Sequence, residues 1–372
     1  MSSELYIGLM SGTSMDAVDC VLADLTESSK VIDFINVEIP PELKKSLLNL
    51  CLENGENQIK ELGEADAALG KLFASAALLM LEKHQLSKTQ IQAIGSHGQT
   101  VRHQPPGQSA QPFSIQIGDP NTIAALTGIT TVADFRRKDM ALGGQGAPLL
   151  PAFHQQIFLS SDKDRIILNI GGMANITLLV KDSAQIIGFD TGPGNILLDL
   201  WIQENIGQDW DADGTWAASG SSNSELLEFM LEDPYFATPP PKSTGREHFN
   251  KAWLDAALAN YAKEIAPQDV QATLVELSSH SIGQAIQSLI PGGEIIVCGG
   301  GAKNRQLIQG LSKQLTAFDI SISTEHGINS DALEALAFAW FAKQTLQRKP
   351  IDLSDITGSS RPHILGGVYY AD

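Results

Sequence analysis

Asp190 lies in "IIGFDTGPGNILLD", after an apolar run and before a glycine-rich turn. A carboxylate that ends a buried strand and faces a cleft can take a proton from a nucleophile. It could also cap the next helix or form an Asx turn. Thr191 or Asn195 can do that, which frees Asp190 for proton transfer. Three glycine turns each follow an apolar strand: Gly12 with Thr13 and Ser14, Gly171-Gly172 in "LNIGGMANIT", and Gly299-Gly300-Gly301 in "VCGGGAKN". Glycine lets the backbone approach a bulky anion and present N–H donors as a nest. Any one turn alone could be an ordinary hairpin or strand–helix connection. Three in one chain, two at matching points of a repeated unit, point to a nucleotide clamped between two domains.

Other polar clusters could hold a small polar substrate. In "GSHGQTVRHQP", His97, Gln99, Arg102 and His103 share one glycine-flanked loop, suited to hydroxyls and amides. A lone histidine is more often structural. In "ADFRRKDMALGGQGAP", Asp134, Arg136 and Arg137 stand at a strand end. An arginine fork there suits a substrate carboxylate, whereas Lys138 reads as a solvated charge. The "GGQGAP" that follows reads as an inter-domain hinge. Glu334 opens an apolar helix, where it is either exposed or an acceptor for sugar hydroxyls. Asp119 or Asn121 can cap the helix after "DPNT".

Several signatures are absent: GxxxxGK[ST], a GxGxxG opening a helix, HExxH and GxSxG. The 372-residue chain suits two domains. Its net charge of −18 works against nucleic acid and anionic membranes as partners. Anionic ligands must therefore be held by local donors. Three cysteines without a CxxC suggest free thiols in a reducing compartment. With no basic n-region, sustained apolar h-region or membrane-length run, a soluble cytoplasmic protein is expected.

The elements that must position these groups repeat. Strands are expected at 5–10, 18–25 and 31–38, helices at 41–51 and 58–84, then strands at 91–95, 113–118 and 129–133. "RIILNI", "ANITLLV" and "AQIIGF" open a second set. Helices at 195–205, 224–231, 249–265 and 272–289 follow, then "EIIVCGGG", a helix from 302, "AFDISIS" and a helix at 332–346. Three strands with tight turns, then helix, strand, helix, strand, occur once in each half. Two similar α/β domains flanking a cleft are expected: residues 1–135, with 350–372 as a candidate addition, and residues 136–349. Loops 207–222 and 234–247 are turn-rich and long enough to be functional or mobile.

Taken together, "GLMSGTSMDAVD", "GSHGQTVRH", "QIGDP", "DFRRKDMALGGQGAPLLPAFH", "LNIGGMANIT", "FDTGPGN", "KSTGRE", "CGGGAKN" and "EALAFAWFA" resemble the motifs of anhydro-N-acetylmuramic acid kinases, in order and across the whole chain. The resemblance implies two duplicated actin/hexokinase-like (ribonuclease H-like) domains flanking an ATP cleft. It implies ATP and Mg²⁺, and a sugar substrate whose 1,6-anhydro ring is opened by water and phosphorylated at O6. By the same resemblance Asp190 is the base. Gly12, Thr13, Ser14, Met15, Asp16, Ala17, Val18 and Asp19 form the ATP-binding stretch. Gly171 and Gly172 approach the phosphates and Gly299, Gly300 and Gly301 the adenosine side, with Asn175 and Asn304 also binding ATP. His97, Gln99, Asp119, Arg136 and Glu334 contact the sugar, and a homodimer is compatible with the family. Two departures are visible. Ala17 replaces a glycine common in the family, with no expected loss of activity. The first strand also lacks the acid that many sugar kinases carry before the glycine turn, which makes Asp16 or Asp190 the candidate for metal-water contacts.

Two alternatives share these features. One is a kinase of an ordinary sugar hydroxyl, with Asp190 deprotonating the hydroxyl directly. The other is an actin- or Hsp70-like ATPase switch answering to a protein partner. The chain length speaks against Hsp70, because no peptide-binding domain follows.

Overall fold

The computed structural model describes residues 3–12, 15–27, 29–51, 57–183, 186–240, 242–246, 248–261 and 263–372. The chain packs as two compact units, Met1–Ile157 with Asp331–Asp372, and Phe158–Ser330. This differs from the expected division, because residues 136–157 and 331–349 pack in the first unit. The expected hinge at "GGQGAP" lies inside that unit too. There the Gly146 N–H donates to Asp139 Oδ2 at 2.8 Å and the Gln145 N–H to the Thr357 carbonyl at 2.8 Å.

In the first unit, β1 (Leu5–Met10), β2 (Ala17–Asp24) and β3 (Lys30–Glu38) form an antiparallel meander. β4 (Ile91–Ser96) runs parallel to β1. A segment read as a loop is instead a strand, β5 (Gln99–Gln104), paired with β6 (Phe113–Ile117) in a separate hairpin. Its polar letters hid the alternation. β7 (Thr131–Ala133) runs parallel to β4, and the strand Gly367–Tyr369 lies antiparallel beside β7. Among the described residues the main sheet has the order β3-β2-β1-β4-β7 with Gly367–Tyr369 at its edge.

The second unit repeats the plan. β8 (Arg165–Ile170), β9 (Met173–Leu179) and β10 (Ile186–Pro193) are antiparallel. β11 (Gly293–Cys298) and β12 (Phe318–Ile322) are parallel to β8, giving the order β10-β9-β8-β11-β12. Both sheets therefore read 3-2-1-4-5 with the second strand reversed, which is the ribonuclease H-like arrangement. The expected duplication is present in the strand order itself. Of the expected strand "AQIIGF", residues 184 and 185 lie outside the described residues.

Helix Leu333–Leu346 is apolar on all sides from Ala335 to Ala342, as befits a helix enclosed by protein. It lies directly on β1 and β4. A Cβ on Gly8 would overlap the Ala335 carbonyl oxygen, and one on Gly95 the Phe338 carbonyl oxygen. Across the sheet's other face, Ile7, Leu9 and Ile94 join Leu69, Phe73 and Met80 of helix Gln58–Lys83 in a buried cluster.

One charge in this sheet is poorly placed. Asp19 on β2 stands opposite Asn36 on β3, whose Nδ2 donates to its Oδ1 at 2.8 Å. Burial, with added repulsion from Glu334 and Asp331, pushes its pKa up to about 6.

Two stability predictions follow from this packing. Gly95→Ala should destabilise the protein by about 3 kcal/mol or more in chemical denaturation, because the helix carbonyl cannot move aside. Gly12→Ala, with nothing among the described residues within 4 Å of the added Cβ beyond its chain neighbours, should stay within about 0.5 kcal/mol. For Asp19, a raised folded-state pKa means the native state binds more protons than the unfolded chain between pH 3.8 and about 6. Stability is then lost as pH rises through that window. Asp19→Asn should be more stable by about 1 kcal/mol near neutral pH, after allowance for solvent screening, and equal to the parent below about pH 4. Urea midpoints at the two pH values check this.

Candidate active site

The pleat of the second sheet separates apolar from polar chemistry. Ile166, Leu168, Ile170, Ala174, Ile176, Leu178 and Phe189 point to one face and are buried in the unit's core. Asn169, Asn175 and Asp190 alternate to the other face, since successive side chains point oppositely. Register places them side by side across three strands, Asn169 opposite Asn175 and Asn175 opposite Asp190. All three are half-buried. Directly after Asp190 the pairing slips, so that Gly192 rather than Thr191 faces Ala174. Such a bulge bends the strand and re-aims the side chain beside it.

A loop then fixes Asp190. Its N–H donates to the Lys242 carbonyl at 3.1 Å, and its Oδ2 accepts from the Thr244 N–H at 3.0 Å. Tyr235 Oη donates to the Asp190 carbonyl at 2.7 Å. Lys242 Nζ in turn donates to the Tyr235 carbonyl at 3.1 Å and lies 4.6 Å from the centre of the Tyr235 ring. Partial burial lowers the Lys242 pKa. Asp190 does not cap the following helix. Sequence reasoning missed Tyr235, Lys242, Thr244 and Asn169 as individual residues. The "KSTGRE" segment and the turn-rich loop pointed toward the loop residues, and an asparagine inside "RIILNI" was the available signal for Asn169.

The glycine turns of this unit divide between packing and open space. The carbonyls of Gly171 and Gly172 accept from the amides of Gly194, Asn195 and Ile196 at 2.8–3.1 Å, which ties the β8–β9 turn to the start of helix Ile196–Ile206. Gly299 adopts a φ of 79°, and a Cβ there would strike Asn169 Oδ1. A Cβ on Gly301 would strike Ile170, whereas Gly300 has its nearest neighbour 3.9 Å away. Asn304 caps helix Arg305–Gln314, accepting from the amides of Gln306 at 3.0 Å and Leu307 at 3.2 Å.

In the first unit, the stretch expected to bind ATP is mixed in character. Thr13 and Ser14 lie outside the described residues. The Gly12 carbonyl accepts from the Met15 N–H at 3.2 Å, closing a turn in which Met15 has a φ of 56°. The side chains of Met15 and Val18 belong to the core, and β2 begins at Ala17. The Asp16 carboxylate is ion-paired with Lys44. Among the described residues no group of three or more His, Cys, Asp or Glu is placed to hold a metal ion.

His97 and Arg136 form the unit's polar centre. The buried His97 ring donates from Nδ1 to the Gly98 carbonyl at 2.8 Å. Its Nε2 then accepts from Arg136, from Nε at 3.1 Å and Nη2 at 2.8 Å. Burial, reinforced by the adjacent guanidinium, holds the His97 pKa well below its usual value, so the ring is neutral. Arg136 Nη1 donates to the Gly146 carbonyl at 2.8 Å. Burial lowers its pKa to about 10, opposed by Glu334 and Asp139. These bonds use three of five guanidinium N–H groups and leave one on each terminal nitrogen, a fork suited to a carboxylate. Arg137 spends its fork on Asp134 instead.

Gln99 accepts from Ser11 Oγ at 2.7 Å, which links the first glycine turn to the histidine loop. Asp119 is a helix cap, accepting from the amides of Asn121 and Thr122 at 3.0 Å each. Asp119 and His97 also line one polar pocket of about 270 Å³ with Ser96, Gln116 and Asp134. Gln99, Arg136 and Glu334 are not among that pocket's lining residues.

No helix among the described residues is long and apolar enough to cross a membrane. Comparison with known proteins gives consistent results. A family model described as anhydro-N-acetylmuramic acid kinase matches residues 4–371. A Coxiella burnetii protein of that name is 51% identical over 100% of this chain and 99% of its own. One from Shewanella denitrificans is 50% identical over 99% of both. Among solved structures, an activator of 2-hydroxyisocaproyl-CoA dehydratase from Clostridium difficile aligns over 92% of this chain and 97% of its own, with 13% identity and a TM-score of 0.45, too low to decide the architecture. By family model and by full-length identity, the chain belongs to the anhydro-N-acetylmuramic acid kinase family.

Proposed function

We propose that this protein uses ATP and water to convert 1,6-anhydro-N-acetylmuramic acid into N-acetylmuramic acid 6-phosphate and ADP, with Asp190 as the base. The observation that carries this reading is the half-buried Asp190 carboxylate. It follows a polar row, stands beside a strand bulge and is held on Oδ2 by a backbone amide. Asp190 takes a proton from water as the water oxygen bonds to C1 and the C1–O6 bond breaks. O6 keeps that electron pair and attacks the γ-phosphorus, ADP departs, and Asp190 returns its proton to solvent. Phosphoryl transfer of this kind needs mainly positioning and charge neutralisation.

The residues divide these tasks. Arg136, oriented by neutral His97, takes the lactyl carboxylate through its two remaining N–H groups. The polar pocket lined by His97 and Asp119 suits the uncharged part of the sugar. Glu334, near enough to influence Arg136, accepts from a hydroxyl. Gly12, with open space over its backbone among the described residues, and Gly300, where a Cβ would meet only Asn195 Nδ2 at 3.9 Å, receive phosphate and nucleotide. Asp16 presents an exposed hard oxygen donor of the kind Mg²⁺ takes, with Lys44 as its partner in this structure. Bound there, the ion would neutralise phosphate charge. We place the reaction in the cytoplasm, in recycling of cell-wall sugar, a setting consistent with an odd number of cysteines and no CxxC.

The direct test supplies purified protein with ATP, Mg²⁺ and the anhydro sugar, and measures ADP and sugar phosphate together. Asp190→Asn should abolish ring opening and phosphorylation while ATP still binds; near-normal turnover would remove Asp190 as base. Arg136→Ala should raise the KM for the sugar about tenfold or more and leave the KM for ATP within about twofold. An unchanged sugar KM would pass the carboxylate to Arg137.

A further inference from the structure

The "GGQGAP" segment, expected to be a hinge, is folded around one buried carboxylate. Asp139 is closed to solvent, and a charge so placed is costly unless hydrogen bonds hold it. Its Oδ2 accepts from the Gly146 N–H at 2.8 Å, and its carbonyl accepts from the Gly144 N–H at 3.0 Å. A Cβ on Gly144 would overlap the carboxylate itself, so only glycine lets the loop come this close.

The other carboxylate oxygen faces the C-terminal segment. Thr357 Oγ1 donates to Asp139 Oδ1 at 2.8 Å, across 218 positions of sequence. His363 Nε2 stands 3.5 Å from the same oxygen. The backbone follows suit, with the Gln145 N–H donating to the Thr357 carbonyl at 2.8 Å and the Ser360 N–H to the Leu142 carbonyl at 3.0 Å.

This anchored loop ends on Arg136. Gly146 donates its N–H to Asp139, and its carbonyl accepts from Arg136 Nη1 at 2.8 Å. The two bonds leave one residue in different directions, at a φ of 73° that favours glycine. His97 holds the guanidinium on Nε and Nη2, and Gly146 holds it on Nη1. The negative charge of Asp139 also favours the protonated form of Arg136.

We propose that Asp139 is a positioning residue for substrate recognition. Through Gly146 it fixes the Arg136 guanidinium in the orientation that receives the sugar's carboxylate, and Thr357 of the C-terminal segment fixes Asp139. This rests on Arg136 binding that carboxylate. Asp139 itself touches no substrate and exchanges no proton. Its loss therefore acts on sugar binding and leaves the nucleotide alone.

Two variants test this. Asp139→Ala removes the acceptor for the Gly146 N–H and the charge together. Asp139→Asn keeps the shape and one acceptor oxygen and removes only the charge. The Thr357 hydroxyl, 3.1 Å from the Leu353 carbonyl, can turn its proton there and accept from the new amide. The expected result is a sugar KM raised about threefold or more in both variants, more in Asp139→Ala, with the KM for ATP within about twofold. In an Arg136→Ala background either replacement should change the sugar KM by less than about twofold, because nothing remains to be positioned. A residue serving only the fold would raise both KM values and keep its effect in that background. That pattern, or a sugar KM within twofold of the parent, overturns the proposal. Should Asp139→Ala not fold, Asp139→Asn decides between the same outcomes. Arg136→Ala alone separates the two levels. If it leaves the sugar KM unchanged, the carboxylate site and its positioning both fall. If it raises the sugar KM while the Asp139 variants do not, only the positioning falls.

Discussion

Two carbonyl oxygens of one helix sit where two side chains are missing. Ala335 and Phe338 press their backbone against Gly8 and Gly95, and no residue with a Cβ fits at either place. This contact brings helix Leu333–Leu346 onto β1 and β4, and with it the C-terminal segment into the first unit. It also sets the position of Glu334 at the helix start, where its charge bears on both Asp19 and Arg136. The aromatic side chains that follow close the rest of the interface, with Phe338 ring centres 4.6 Å from His97 and 5.5 Å from Phe135. A core contact and a polar centre are thus parts of one packing solution.

The polar centre shows how an acidic chain keeps a usable cation. A guanidinium near the interior pays for lost hydration, and its lowered pKa records this. His97 offsets part of that loss without adding charge, because a neutral ring with its proton on Nδ1 presents a lone pair at Nε2. The same arrangement fixes the guanidinium plane. Arg137, one residue on, shows the contrast. It is exposed and turns Nε and Nη2 toward Asp134.

The second unit applies the same economy to a carboxylate. Core residues fill one face of the sheet, and the pleat sends Asn169, Asn175 and Asp190 to the other. The bulge and the loop carrying Tyr235, Lys242 and Thr244 then set the carboxylate's direction. Gly299 sits close to the same row, because only a residue without a Cβ fits against Asn169 Oδ1.

Much of this was legible in the sequence. Alternating and helical apolar spacing placed β1 and helix Pro41–Cys51 at their observed bounds, and the repeat of strands and turns gave the duplicated architecture, because periodicity is a local property. The strand Gln99–Gln104 escaped notice since Val101 is its one apolar residue, although Val101 and Ile117 of its partner both lie in the core. Domain boundaries escaped for a different reason: residues 136–157 and 331–349 join the first unit through contacts distant in sequence, which no local pattern encodes. By local pattern alone the sequence specified most of the elements, the glycine turns and the candidate carboxylates and cations. Only the tertiary structure decided which did what. It gave Arg136 rather than Arg137 the open fork, and brought Thr244 to Asp190 across 54 positions. Hydrogen-bond partners are settled by distance in space, and that distance exists only once the sheets have closed.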